Sequence, residues 1–235
     1  MKKLLVITGV TKGIGREIAK KFAAGGFDIV GCARSAEDIR QLKMEFSKDY
    51  PKIEAAFFQV DVSIKDEVYK FADAVVERNQ PVNVLVNNAG IFTPGQIHTE
   101  EEGVLENLIH TNLYSAYYLT RKLVPVMIKA KAGHIFNMCS TASITPYING
   151  GAYCISKYAL YGMSKVLREE MKEHEVKVTA VLPGATYTAS WEGVEIPEER
   201  FMQAKDVADI VFGINSLGKN AVVEDVLLRP QLGDL

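Results

Sequence analysis

A tyrosine and a lysine four residues apart, Tyr153 and Lys157, close the segment 140–157. From Ala152 onward the apolar residues are spaced as on a helix, and residues four apart share a helix face, so the phenol and the ammonium point the same way. A phenol is a poor acid at neutral pH, with an unperturbed pKa of about 10. A neighbouring ammonium favours the phenolate and lowers that value, which makes Tyr153 a usable proton donor and acceptor. Ser140 follows a strand-like run over 134–139, which sets its hydroxyl at the carboxyl end of a strand, where open α/β sheets keep their ligands. From there it can donate a second hydrogen bond to an oxygen that gains negative charge during a reaction. Taken alone, Tyr-x-x-x-Lys arises by chance in many helices. Its meaning depends on what the rest of the chain places beside it.

Residues 3–7 read as a buried strand that enters Thr8-Gly9-Val10-Thr11-Lys12-Gly13-Ile14-Gly15 before an amphipathic helix over 16–24. Glycine is needed where a backbone turns sharply and approaches a ligand, and the free amides of a helix start favour a pyrophosphate. The spacing is G-x-x-x-G-x-G and not G-x-G-x-x-G, and as a bare pattern it also suits an ordinary turn. A second strand, 27–33, ends in Arg34. An acidic residue there would bond the 2′-hydroxyl of NAD, whereas an arginine accommodates the 2′-phosphate of NADP. No carboxylate stands at that tip, and Lys12 adds a second positive charge. Either cation alone reads as a surface residue; together they favour NADP.

A third strand, 53–60, leads into Asp61-Val62 and a helix over 65–78; Asp61 either accepts a bond from an adenine amino group or caps that helix with Ser63. The fourth strand, 82–86, delivers Asn87-Asn88-Ala89-Gly90, in which the small pair leaves space beside the backbone and the amides bind loop or cofactor. A long helix over 101–131 carries Asn112 on its apolar side. A buried amide is costly unless bonded, so Asn112 either props the backbone or serves a site. After the helix 152–174, a strand over 176–182 ends in Pro183-Gly184-Ala185-Thr186-Tyr187-Thr188. The stretch 185–204, with Trp191 and Pro197, shows no regular pattern and suits a loop that covers substrate. A helix over 205–216, a strand over 221–228 and the tail 229–235 close the chain. This alternation implies right-handed crossovers and one parallel sheet of about seven strands, doubly wound with helices on both faces.

The 235 residues, 48% of them hydrophobic, suffice for a core of one domain. A net charge of −2 with both signs scattered points away from nucleic acid and anionic membranes and toward a small ligand. Cys32, Cys139 and Cys154 show no C-x-x-C spacing, which suits reduced thiols and a cytoplasmic setting. The apolar run 4–7 is too short for a signal peptide, and nothing approaches a transmembrane length. His98, His110, His134 and His174 are dispersed, so no metal site is expected.

With Thr8-Gly9-x-x-x-Gly13-Ile14-Gly15, Asn87-Asn88-Ala89-Gly90, Asn112, Ser140, Tyr153-x-x-x-Lys157 and Pro183-Gly184 in this order, nearly the whole chain resembles the short-chain dehydrogenase/reductases. The resemblance implies a single-domain Rossmann fold over 1–235 and a nicotinamide cofactor. It implies Tyr153 as proton donor, Ser140 as substrate orienter, Lys157 as ribose holder and tuner of Tyr153, and Asn112 as anchor of a relay water. The cofactor would meet Gly9, Thr11, Lys12, Gly13, Ile14, Gly15, Arg34, Asp61, Val62, Asn88, Ala89, Gly90, Tyr153, Lys157, Pro183, Gly184, Thr186 and Thr188. Tyr147, Trp191 and Asp234 would face substrate. Family members commonly pair through their long central helices, here about 103–131 and 152–174, so a homodimer or homotetramer is implied.

The tail departs from the family's common Asp-Gly-Gly ending and is similar to the bacterial sepiapterin-reductase-like subgroup. NADPH-dependent reduction of a ketone or aldehyde is therefore the leading expectation, with a 3-oxoacyl-carrier-protein reductase as the second. A non-catalytic NADPH sensor would show loss of the tyrosine or the lysine, and both are present. Asp234 could pair with the guanidine-like edge of a pterin if the tail folds back over the strand ends. The competing readings are a solvated terminus and a subunit contact.

Overall fold

Continuous apolar runs, buried on both faces, build the sheet. In β1 (Leu4–Thr8), Leu5 and Ile7 face one side and Leu4 and Val6 the other, all fully buried. The remaining sheet strands are β2 (Asp28–Ala33), β3 (Ala55–Gln59), β4 (Val82–Asn87), β5 (His134–Met138) and β6 (Lys177–Pro183). The computed structural model describes residues 2–188, 193 and 196–234, so Trp191 and its expected substrate role lie outside the described residues. Helices α1 (Gly13–Ala24) and α2 (Ala36–Asp49) cover the Leu5 side, where Phe22 and Phe46 belong to one buried core with Ile29 and Val84. The Leu4 side meets α3 (Lys65–Val76), α5 (Ser115–Ala130) and α6 (Gly151–Met171) through Phe71, Leu119, Leu123 and Leu167. A short α4 (Val104–Ile109) precedes α5. The last elements are the two-residue β7 (Thr186–Tyr187) and β8 (Met202–Gln203), α7 (Ala204–Asn215) on the Leu5 side, and β9 (Asp225–Leu228).

Seven strands run in the order β3-β2-β1-β4-β5-β6-β9, all parallel. This is the doubly wound Rossmann arrangement. Because every strand points the same way, Thr8, Ala33, Asn87, Met138 and Pro183 all finish on one edge of the sheet. The strand order reverses between β1 and β4, which opens a crevice on that edge. Among the described residues no helix is long and apolar enough to cross a membrane.

Three expected elements take a different form. The helix anticipated over 101–131 begins only at Val104, after Gly103 at φ 89°, and between α4 and α5 it widens into a π-turn over His110–Tyr114. Periodicity cannot show one extra residue in a turn, and π-turns often mark functional sites. The strand anticipated over 221–228 shortens to β9, because the preceding carbonyls serve other partners. Val223 accepts from the Thr179 hydroxyl, and Glu224 accepts from Arg168 as well as from the Ala180 amide. Within the stretch 185–204, β7 and β8 pair as a two-stranded parallel ribbon.

Candidate active site

The glycine turn is held from two sides. Gly9 adopts φ 68°, a conformation that L side chains rarely take. Asn88 donates its side-chain amide to the carbonyls of Thr8 (3.0 Å) and Gly9 (3.1 Å), and the Thr8 hydroxyl accepts from the backbone of Asn88 and Ala89. A Cβ at Gly15 would come within 2.2 Å of the Gly9 carbonyl, so glycine is obligatory for the first turn of α1 to close on β1. Lys12 occupies the N-cap of α1 without capping it through its side chain, and no acid lies in the first turn. The amides of Gly13, Ile14 and Gly15 thus begin a helix with a positive end and no side-chain acceptor from the cap, a setting that fits a pyrophosphate. Thr188 is brought to this turn, its methyl 3.1 Å from where a Gly13 Cβ would stand.

At the tip of β2, Arg34 is exposed, and the Lys12 ammonium reaches across to Asp38 at 3.2 Å. The sequence reading missed Asp38; it sits in the first turn of α2, whose N-cap Ser35 accepts its amide. Asp61 Oδ1 accepts from both the amide and the hydroxyl of Ser63, a local turn before α3, whose N-cap Ile64 makes no side-chain cap bond. The Val62 side chain is committed to the core, which leaves only its backbone for a ligand.

The reactive groups converge at the ends of β4 and β5. Ser140 caps a 3₁₀ turn over Thr141–Ser143; its oxygen accepts the Ala142 amide at 3.1 Å, while the Ser143 hydroxyl accepts the Ser140 amide. The Ser140 hydroxyl also lies within hydrogen-bonding reach of the Tyr153 hydroxyl. Lys157 is buried, donates to the Met138 carbonyl at 2.8 Å and lies 5.9 Å from the centre of the Tyr153 ring. Its Nζ is also 3.4 Å from where a Gly90 Cβ would be, so the small Ala89-Gly90 pair gives the ammonium its space. Asn112, in the π-turn, is buried and props the backbone: it exchanges two bonds with Ile91 (2.8 and 3.0 Å) and donates to Ser156 on α6. Phe92 packs edge-on against Tyr153 at 4.9 Å, a contact no sequence period could reveal.

At the end of β6, the Thr186 hydroxyl donates to the Gly184 carbonyl, and Pro183 is buried. The tail folds back toward the end of β6. Gly233 at φ 88° closes a turn onto Pro230, Arg229 pairs with Asp234, and Asp234 Oδ1 lies 3.0 Å from where a Gly184 Cβ would be.

A sequence model of the short chain dehydrogenases matches residues 3–198. The chain belongs to that family. A sepiapterin reductase from Chlorobaculum tepidum is 31% identical over 100% of this chain and 99% of its own length. An NADPH-dependent pterin aldehyde reductase from Arabidopsis thaliana is 30% identical over 79% of this chain and 76% of its own. Among solved structures, a metagenomic short-chain oxidoreductase in complex with NADP superposes with a TM-score of 0.84 at 33% identity, covering 97% of each chain.

In this dehydrogenase the electrostatics correct one expectation. Lys157 was expected to lower the Tyr153 pKa, but burial pushes the phenol up, and the Ser140 hydrogen bond only partly offsets that. Lys157 itself donates to the Met138 carbonyl, and burial pulls its own pKa down. Tyr153 is therefore held as a neutral phenol. Tyr147, on the exposed loop before α6, also has its pKa raised, by burial first and then by the nearby Tyr153. Burial pushes Cys139, beside Ser140, up to about 11, so its thiol stays protonated and offers no competing nucleophile. Among the described residues no group of three His, Cys, Asp or Glu side chains could hold a metal.

Proposed function

We propose that this chain reduces a ketone or aldehyde to an alcohol with NADPH, and that its substrate is a pterin-like carbonyl compound. The observation that carries the reading is the hydroxyl pair Ser140 and Tyr153, hydrogen-bonded above a buried Lys157 at the crevice where the strand order reverses. When bound, the nicotinamide supplies a hydride to the carbonyl carbon. Tyr153, neutral at physiological pH, gives its proton to the carbonyl oxygen, and Ser140 holds that oxygen by a hydrogen bond that strengthens as charge develops. Lys157, buried with its Nζ 5.9 Å from the Tyr153 ring centre, would hold the cofactor ribose, and Asn112 fixes the Ile91 backbone and α6 around it. The glycine turn with Thr11, Thr186 and Thr188 would hold the pyrophosphate side of the cofactor, Asp61, Val62 and Asn88 would line its adenosine half, and Lys12 and Arg34 would take the 2′-phosphate. NADP in the metagenomic relative supports that choice.

For the substrate, the likeness to the Chlorobaculum tepidum sepiapterin reductase and the tail turned onto Gly184 support a pterin. Asp234 would have to leave Arg229 to offer both carboxylate oxygens to a guanidine-like edge there, and Tyr147 would add an aromatic wall. The same reading includes pairing of two copies through α5 and α6. A cavity of about 780 Å³ between these helices is lined by Leu113, Tyr117, Val124, Met163 and Val166, of which Tyr117 and Val166 are exposed. The test is steady-state kinetics with sepiapterin and a simple diketone. NADPH should give a higher specificity constant than NADH, and Tyr153→Phe should lose nearly all turnover while binding NADPH as wild type does. Substantial turnover in Tyr153→Phe, or a preference for NADH, rules the reading out.

A further inference from the structure

The helix that carries Tyr153 begins without a cap of its own. Its N-cap is Gly150, which has no side chain to accept an amide, and no acid lies in its first turn. The first amides of a helix need acceptors from elsewhere. One comes from 52 residues upstream: Glu100 Oε1 accepts the Ala152 amide at 2.9 Å. Ala152 immediately precedes Tyr153. The fit is close, since a Cβ at Gly151 would stand 2.0 Å from Glu100 Oε1 and one at Gly95 would stand 2.6 Å from Glu100 Cγ.

Further bonds fasten the same segment to the same helix start. Gly95 and Gly150 form an isolated parallel bridge, the Gly95 amide donates to the Asn149 carbonyl at 3.0 Å, and the Gln96 side chain donates to the Asn149 side chain at 3.0 Å. Asn149 is held at φ 65° in the process. The segment also carries Phe92, whose ring meets the Tyr153 ring at 4.9 Å. The chain that leaves β4 therefore touches the Tyr153 ring through Phe92 and, separately, holds the helix start that carries Tyr153 through Ala152, Gly150 and Asn149.

We propose that Glu100 is a positioning residue for the reaction, a carboxylate that crosses from the loop after β4 to cap α6 and so sets where the Tyr153 hydroxyl stands relative to Ser140. The inference rests on Tyr153 being the proton donor proposed above. Misplacement of a reacting group by about 1 Å can cost up to roughly a hundredfold in rate, so a side chain that touches no substrate can still govern turnover.

Four variants test it, each assayed for kcat, for NADPH affinity by fluorescence titration and for thermal midpoint. Glu100→Ala should lower kcat roughly tenfold while NADPH binding stays within about twofold, because the glycine turn is untouched. Glu100→Gln keeps an amide-accepting oxygen at the same reach and should recover kcat to within about threefold of wild type. Gly151→Ala displaces the carboxylate by another route: its methyl would stand 2.0 Å from Glu100 Oε1 and 2.7 Å from the Gly95 carbonyl, so kcat should fall as in Glu100→Ala, with a lower thermal midpoint because the Gly95 backbone must shift as well. The double variant Glu100→Ala/Gly151→Ala should be no slower than either single one. Wild-type kcat in Glu100→Ala or Gly151→Ala overturns the proposal, as does an equal loss of NADPH affinity. If Tyr153→Phe is inactive while these variants are normal, only the role of Glu100 falls; if Tyr153→Phe remains active, the assignment of the proton donor falls first.

Discussion

At the residue scale, the decisive quantity is the protonation of Tyr153. Burial raises its pKa, and the Ser140 bond lowers it by less. The sign of the pH dependence follows. Reduction needs the neutral phenol, which is present throughout the neutral range, so its rate should be nearly flat from about pH 6 to 8. Alcohol oxidation needs the phenolate as base, whose share grows about tenfold per pH unit below the pKa, so kcat/KM for oxidation should climb steadily with pH. Kinetics in both directions across this range check it; an oxidation rate that levels off near neutrality would mean that Lys157 does depress the phenol when cofactor is bound. A second lesson lies in Lys12, whose charge was readable in the sequence while its partner Asp38 was not. The two are 26 positions apart, and only the meeting of α1 and α2 over the sheet edge brings them together.

At the element scale, what was legible is what has a period or a special backbone. The strands show as apolar runs, the turn after β1 as glycines, and Tyr153 with Lys157 as a helical pair. The one-residue widening at His110–Tyr114 was not legible, although buried Asn112 marked the place, because its side chain bonds Ile91 from another element. The Glu100 clasp was invisible for the same reason: 52 residues separate donor from acceptor. The tail turns where Gly233 donates to the Pro230 carbonyl. Its prediction concerns selectivity. Deleting 233–235, or changing Asp234→Asn, should weaken kcat/KM for a pterin substrate several-fold and spare a simple diketone that lacks the edge to read. Assays of both substrates decide it, and equal losses on both would assign the tail to structure alone.

At the scale of the whole molecule, the sheet buries groups at the edge opposite the site, and they link stability to pH. His134 begins β5, is buried, stacks on Phe136 with ring centres 4.0 Å apart and places Nε2 2.8 Å from the Thr179 hydroxyl. That hydroxyl donates to the Val223 carbonyl, so it accepts from the imidazole, and β5 is tied through β6 to the chain entering β9. Burial first, and the Lys177 charge second, pull the His134 pKa down to about 3. The unfolded chain binds this proton near pH 6.5 and the folded chain only near 3. The native state therefore has its full advantage above about pH 6.5 and loses it progressively as the pH falls toward 3. At pH 5 the loss attributable to this one ring is about 2 kcal/mol. Urea unfolding at pH 7.5 and pH 5 should show wild type losing more stability than His134→Phe, which keeps the stacking on Phe136 and removes the titration. If both proteins lose the same amount between those pH values, some other group carries the acid sensitivity and the assignment to His134 is wrong.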